Sequence, residues 1–411
     1  MRKLFLLLLF ASCVHRASNE MTSIQLLDRN GFSETVSVKD RLANYEKTDF
    51  TNPQPYQKVV RVYGKEKRGP ASIITTYHPN GQLHQLLEVM SGRAHGPYKE
   101  WYPNGKLKIE AFVIEGTPDV SEFAQMTWLF EGECRVFDEA GSLTATMPYT
   151  KGALEGTSLY YFSSGKLMKE APYQNNALHG TVQVFNEQSV CIETSLYHEG
   201  VRDGRSISYW DEGKLKAEET YQKGRLMEAQ YVNPQGSIVS RVENGCGRQA
   251  LFQEGFVASL IEYRGGEVEG KVEAYNEKGQ KVSTHCLKDG MKTGEEWEYY
   301  LSGAPKLFLE WDQDVLQGTC KTWYESGILE SQREMQNNKK HGLSLAWFSD
   351  GDLMLMEEYE DDKLLKGSYF KKGEKTVISK VDHGKGIATL FDKSGRFLRR
   401  IPYEGGVPVQ E

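Results

Sequence analysis

Histidine is the first residue type in this chain that could do chemistry, because its imidazole binds metal ions and moves protons. His95, His179 and His341 each stand one residue before a glycine of a recurring pattern. A metal site needs all its ligands around one ion. These three histidines lie several repeats apart, so we interpret them as recurring turn residues. We predict no metal site, no cofactor-binding residue and no cofactor.

Cysteines are the second candidates, as nucleophiles, metal ligands or disulfide partners. Beyond Cys13, five are scattered along the chain without a Cys-x-x-Cys spacing: Cys134, Cys191, Cys246, Cys286 and Cys320. Their distribution shows no disulfide framework. We predict buried free thiols.

Carboxylate pairs could act as the acid and base of a glycosidase, which needs two of them at a set separation across a cleft. Acidic residues recur about five positions after the turn glycines, at Glu110, Glu170 and Glu218, and adjacent pairs occur at 295–296 and 357–358. Such charges are also what a β-sheet edge uses against aggregation. The chain contains no nucleophile elbow, His-Glu-x-x-His or phosphate-binding glycine loop. We predict no catalytic residues and no enzyme.

Charge argues against a nucleic-acid partner. The net charge is −7, with 50 Lys and Arg against 57 Asp and Glu. Basic clusters at 65–68, 371–372 and 399–400 are short and have acidic neighbours. Nucleic-acid binding needs a basic stripe or patch. The same balance gives no electrostatic attraction to anionic lipid.

The remaining signal is a repeat with a usual period of 24 residues, which decides the architecture. Most units have a turn glycine with an aromatic residue four positions earlier. The turn residues are Gly81, Gly105, Gly141, Gly165, Ser189, Gly213, Gly236, Gly255, Gly279, Gly303, Gly327 and Gly351. Eleven positions later only Gly, Asn or Asp occurs, the residues that adopt positive φ most easily. Runs rich in Tyr, Trp, Leu, Val and Thr separate the turns and predict short strands.

This pattern resembles the MORN repeat, in the variant form of bacterial YwqK-type proteins. The resemblance rests on aromatic-x-x-x-Gly-x-Leu runs at 101–107, 161–167 and 209–215 and on Tyr-x-x-Gly-x-x-x-Gly runs at 149–156 and 197–204. It covers roughly 59–403. The predicted fold is all-β, an elongated array of antiparallel β-hairpins in which each unit supports its neighbours.

The predicted domains are a signal peptide at 1–13, a tether and N-terminal cap at 14–55, the array at 56–403 and a loose tail at 404–411. About 12 extra residues lie near 117–128. The repeat is loosest at 232–263, which is either a bend or seam between two sub-arrays or simple decay of the repeat. Residues 37–45 predict one or two helical turns with Ser37 as N-cap. The segment before Cys13 resembles a bacterial lipoprotein box, with Cys13 as the lipidated residue. Plain secretion and an uncleaved anchor are the alternatives.

One residue of each aromatic pair should point away from the stack, because neighbouring strand residues face opposite sides. The candidate binding face is Tyr102, Phe162, Trp210, Tyr300, Tyr324 and Phe348. The alternative is that the sheet curls and buries both rows. We predict an exported, envelope-anchored, non-enzymatic module that binds a protein partner. A YwqK-type antitoxin or immunity protein is the second hypothesis, and a carbohydrate-active enzyme or glycan binder the third.

Overall fold

The computed structural model describes residues 20–66 and 69–409. Strands make up 64% of the structure and helices 2%, which confirms the all-β prediction. The chain divides into two compact units, Met1–Val201 and Arg202–Glu411, and each is treated by itself. The predicted signal peptide, including Cys13, lies outside the described residues. No helix in the described part is long and apolar enough to cross a membrane.

The first unit contains strands β1 to β16 and two one-turn helices. Helix α1 is Lys39–Leu42 and α2 is Glu122–Gln125. The strands are β1 Met21–Leu27, β2 Ser33–Val36, β3 Lys58–Glu66, β4 Gly69–Tyr77, β5 Leu83–Met90, β6 Arg93–Trp101, β7 Leu107–Glu115, β8 Leu129–Phe130, β9 Gly132–Phe137, β10 Leu143–Thr150, β11 Ala153–Leu154, β12 Gly156–Tyr161, β13 Leu167–Gln174, β14 Ala177–Leu178, β15 Gly180–Phe185 and β16 Cys191–His198.

Two kinds of turn alternate between antiparallel strands, as the repeat predicts. A five-residue loop joins β6 to β7, where Trp101 pairs with Leu107. A two-residue turn joins β5 to β6, where Met90 pairs with Arg93. This tight turn needs positive φ at both central residues, and Ser91 and Gly92 have φ of 52° and 74°.

The predicted left-handed positions are confirmed, since every residue eleven positions after a turn residue has positive φ. These are Gly92, Gly116, Gly152, Asn176, Gly200, Gly224, Gly247, Gly266, Gly290, Asp314, Asn338 and Asp362. Ser189, which replaces glycine in its loop, also has positive φ, at 63°. The sequence did not predict the first residue of the two-residue turns, because Lys151 and Glu199 carry no left-handed preference yet have φ of 50° and 49°.

The N-terminal segment is more ordered than predicted. Its two strands form a hairpin, and β1 also pairs with β3, whereas the sequence placed the first strand near 57–63. The physical reason is that Met21, Ile24 and Leu26 are buried against Val59 and Tyr77 in one core. The predicted helix is a single turn, and its N-cap is Val38 rather than Ser37.

The second unit contains strands β17 to β37. They are β17 Val201–Tyr209, β18 Leu215–Gln222, β19 Arg225–Val232, β20 Ile238–Glu243, β21 Cys246–Gln253, β22 Phe256–Arg264, β23 Glu267–Tyr275, β24 Lys281–Lys288, β25 Met291–Lys292, β26 Gly294–Tyr299, β27 Pro305–Asp312, β28 Val315–Leu316, β29 Gly318–Trp323, β30 Leu329–Gln336, β31 Lys339–Trp347, β32 Leu353–Glu360, β33 Lys363–Phe370, β34 Val377–Asp382, β35 Lys385–Phe391, β36 Phe397–Glu404 and β37 Val407–Pro408.

Three expectations differ from the structure here. Gly255 lies in a two-residue turn between Gln253 and Phe256 instead of a five-residue loop. The predicted seam at 232–263 lies inside the second unit and contributes Val242 and Ala250 to a buried core. The tail expected to be loose forms β37, which pairs with the end of β36.

Candidate functional site

The six residues of the predicted binding face are not exposed. Phe348 is fully buried and the other five are half-buried. Four of them donate side-chain hydrogen bonds to backbone carbonyls at the end of a later strand. These bonds are Tyr102 to Phe137 at 2.9 Å, Trp210 to Val232 at 3.1 Å, Tyr300 to Trp323 at 2.6 Å and Tyr324 to Trp347 at 2.7 Å.

The strand-alternation argument behind that face was wrong because each of the six is the first residue of a five-residue loop. Tyr324, for example, follows β29 and its amide bonds to the carbonyl of Ile328 within the loop. Period-two alternation applies only to strand residues. The structure therefore gives these side chains a role in joining hairpins, and their use in binding a partner stays a prediction.

Sequence reasoning missed a buried carboxylate, Glu219, which is 8% exposed. It accepts hydrogen bonds from the Tyr221 hydroxyl at 3.1 Å and the Tyr231 hydroxyl at 2.7 Å. The Gln249 amide nitrogen donates to it at 3.2 Å, and the Tyr263 hydroxyl donates to the Gln249 amide oxygen at 3.2 Å. These five residues are the Glu219 cluster.

The tyrosines of the Glu219 cluster stay protonated. Burial, followed by the charge of Glu219, raises the pKa of Tyr221, Tyr231 and Tyr263. A protonated hydroxyl can donate to a carboxylate, so neutral donors, together with the Arg202 guanidinium 3.6 Å from the Glu219 carboxylate, satisfy the buried charge.

A second cluster follows 138 residues later with the same geometry. Glu357, also 8% exposed, accepts from Tyr359 at 3.0 Å and from Tyr369 at 2.8 Å. A cation covers the first tyrosine ring in both: Arg202 lies 5.3 Å from the Tyr221 centroid and Lys340 4.6 Å from that of Tyr359. Glu357, Tyr359, Tyr369 and Tyr403 form the Glu357 cluster.

The backbone around the two clusters matches as well. The amide of Leu226 donates to the Gly266 carbonyl at 3.0 Å, and that of Leu364 donates to the Gly406 carbonyl at 2.9 Å. Both leucine side chains are fully buried. The second unit thus contains the same two-hairpin core twice, once within the array and once at its last strands.

The clusters differ at the position of Gln249. Gln249 and Ala388 each lie two residues after a strand glycine and opposite an isoleucine of the next strand. Gln249 forms hydrogen bonds with both Glu219 and Tyr263, but the methyl side chain of Ala388 can form no hydrogen bond with Glu357 or Tyr403. Ala388 lines a cavity of about 290 Å³. Six of its lining residues are Ser331, Arg333, Lys340, Ser344, Leu355 and Tyr403.

The extra residues at 117–128 form a loop that contains α2. The two ends of this loop are bonded to the rest of the unit or to each other. Asp119 pairs with Lys58 at 2.9 Å, and the Trp128 indole donates to the Thr117 carbonyl at 3.0 Å. Trp128 is buried, with its ring 4.8 Å from that of Tyr98.

The middle of the insert, around α2, has large apolar side chains exposed to solvent. Phe123 is 84% exposed and Met126 is 81% exposed, three residues apart on the helical turn. Leu129, where the insert rejoins the strands, is also exposed. These three residues are the apolar insert surface.

The other candidates are not brought together. The five cysteines are free, but only Cys134 is buried, and Cys246 is exposed, so the prediction of buried thiols was wrong in part. Burial raises the pKa of Cys134 to about 11. His95 bonds the Ile114 carbonyl at 2.8 Å. Among residues 20–66 and 69–409 no three His, Cys, Asp or Glu side chains are placed to hold a metal ion.

A family model described as MORN repeat variant matches four segments, at 94–114, 154–175, 202–223 and 316–337. The chain contains MORN-variant repeats. The third matched repeat contains Glu219 and Tyr221 of the Glu219 cluster, and the fourth contains Arg333, which lines the cavity. The insert, in contrast, lies between the first and second matched repeats.

Whole-chain comparisons add little to this assignment. No curated protein matches the chain. The chain is similar to TcdB2-TccC3 without its hypervariable C-terminal region at 10% identity and a TM-score of 0.14, over 88% of this chain and 27% of that chain. It is similar to a porin-like protein from Bacteroides uniformis at 12% identity and a TM-score of 0.13, over 59% of this chain and 95% of that chain. TM-scores this low carry no argument about fold or function.

Proposed function

We propose that this MORN-variant repeat protein is a non-enzymatic module that binds a protein partner through the apolar insert surface. The observation that carries the proposal is the exposure of Phe123 and Met126 on a loop whose base is buried and hydrogen-bonded. Exposed apolar patches on soluble proteins mark interaction sites.

The fixed base of the insert favours binding energetically. Ordering a loop on association costs free energy, and a loop already held by Lys58, Val120 and Trp128 has less order to gain. Phe123 and Met126 can then enter apolar pockets of the partner as binding hot spots. The partner we propose has a concave apolar surface and few charges at its centre.

We expect Phe123→Asp to reduce partner capture at least tenfold, because a buried aromatic hot spot contributes about 2 kcal/mol and tenfold corresponds to about 1.4 kcal/mol. The measurement is in-cell crosslinking of the tagged full chain, followed by mass spectrometry. Leu301→Asp is the matched control, since Leu301 is 71% exposed on a loop of the second unit. Capture that is equal for Phe123→Asp and the unaltered chain would count against the proposal.

The proposed location is the bacterial cell envelope, with a lipid on Cys13 as the membrane anchor. The support is the sequence alone, a basic start, a short apolar run and Cys13. We expect Cys13→Ala to abolish globomycin-sensitive processing, read as a mobility shift on a gel. Processing of this variant that is unchanged would leave plain secretion as the explanation.

The crosslinking result also separates the remaining functions. A secreted toxin as the captured partner would favour the immunity hypothesis. Hydrolysis of cell-wall sugars by the purified chain, lost with one Glu→Gln substitution, would instead favour the enzyme.

A further inference from the structure

The cavity beside Glu357 is independent of the apolar insert surface. It lies wholly within the second unit and is formed by β30 to β32, β35 and β36. Its volume of about 290 Å³ is at the small end of ligand pockets, which usually run from about 300 to 1,000 Å³. The size fits one small molecule and no peptide.

Two polar groups at the cavity, the exposed Arg333 side chain and the Tyr403 hydroxyl, have no hydrogen-bond or ion-pair partner among the described protein residues. Ser344, only 6% exposed, lines the same space, and so does Lys340, whose ammonium lies over the Tyr359 ring. In the Glu219 cluster the equivalent tyrosine, Tyr263, is bonded to Gln249 at 3.2 Å.

The charge balance indicates an anionic ligand. Arg333 and Lys340 supply two positive charges, and the Glu357 carboxylate supplies one negative charge already bonded to two tyrosine hydroxyls. An anionic group would pair with the cations, and guanidinium suits carboxylate and phosphate oxygens best.

The rest of the lining indicates hydroxyl groups and a C–H face. Ser344 and Tyr403 can each donate to or accept from a ligand hydroxyl. Leu355 and Leu390 offer apolar surface beside them. We propose that this cavity binds a monosaccharide-sized ligand that carries a carboxylate or a phosphate, a sugar acid or a sugar phosphate.

The internal duplication supplies a sharp test. Ala388→Gln should place an amide between Glu357 and Tyr403, as Gln249 does between Glu219 and Tyr263, and so narrow the cavity and occupy the Tyr403 hydroxyl. The probes are glucuronate, glucose 6-phosphate and glucose, titrated into the purified chain by calorimetry. We expect binding of at least one anionic sugar, at least tenfold weaker binding of glucose, and no measurable binding of either anion to Ala388→Gln.

Two further variants keep the result interpretable. Arg333→Met keeps an unbranched side chain but removes the guanidinium and its charge, and it should weaken binding of the anionic sugar at least tenfold. Gln249→Ala is the matched control. The residue 138 positions before Arg333 is Ser195, so the first cluster has no equivalent of the Arg333 cation, and this variant should gain no second anion-binding site. Thermal melts establish that each variant is folded.

The anion that binds more tightly, glucuronate or glucose 6-phosphate, shows whether the cavity recognises a carboxylate or a phosphate. Three results would overturn the proposal. The first is that no anionic sugar binds the unaltered chain at about 10 mM, a concentration roughly tenfold above a Kd of 1 mM. The second is that Ala388→Gln or Arg333→Met binds the anionic sugar as tightly as the unaltered chain does, and the third is that glucose binds as tightly as the anionic sugar. None of these results bears on the apolar insert surface.

Discussion

Replacing Glu219 with alanine is expected to lower the free energy of unfolding by about 4 kcal/mol, because the buried hydroxyls of Tyr221 and Tyr231 and the Gln249 amide lose their shared acceptor. Urea unfolding followed by ellipticity measures the change. Glu219→Gln keeps an acceptor oxygen and should cost less.

The matched control is the neighbouring Glu218→Ala. Glu218 points to the other side of its strand, and its carboxylate pairs with Arg205 at 2.6 Å with a third of the side chain in solvent. Surface ion pairs contribute about 0–1 kcal/mol. Equal losses for the two alanine variants would show that the buried cluster contributes no more than a surface pair.

Gly386→Ala is the second large effect expected, a loss of about 3 kcal/mol. A Cβ at this position would lie 2.2 Å from the Lys380 carbonyl oxygen and 2.9 Å from the Val381 Cα, and the glycine has a φ of +147°. Backbone atoms cannot move aside as a flexible side chain can, so steric overlap adds about 1–3 kcal/mol to a conformational cost of about 1–2 kcal/mol.

Gly373→Ala separates the two contributions. Gly373 has a φ of +77°, and no atom lies within 4 Å of the place that an alanine methyl group would take, so only the conformational cost of about 1 kcal/mol applies. Denaturant midpoints of the two variants, measured side by side, give the difference. Similar midpoints would mean that the strands near Lys380 relax to admit the methyl group.

The local structure followed from the sequence, because each feature depends on a few neighbouring residues. Positive φ is cheap only for Gly, Asn and Asp, so a position restricted to them predicts a turn, and the φ of 67° at both Asn176 and Asp362 confirms it. The extra residues at 117–128 were visible as a break in the period. The apolar residues Met21, Ile24 and Leu26 could have indicated the first strand, which lies before the repeat begins.

Side-chain surroundings did not follow from the sequence. The aromatic row forms a surface only if its residues are strand positions, and the loop geometry at Tyr324 removes that basis. Glu219 and Glu358 look alike in sequence, as acidic residues in polar stretches. Packing alone buries Glu219 among tyrosines and leaves Glu358 exposed beside Lys366.

The sequence by itself determined the hairpin, the two turn types and the repeating unit, since backbone conformation and period-two patterning are local properties. The tertiary structure alone decided which carboxylates are buried, which insert residues stay in solvent and where a cavity remains. Gln249 and Ala388 are ordinary strand residues on their own. Their difference matters only because folding places each beside a buried carboxylate contributed by a strand about 30 residues earlier.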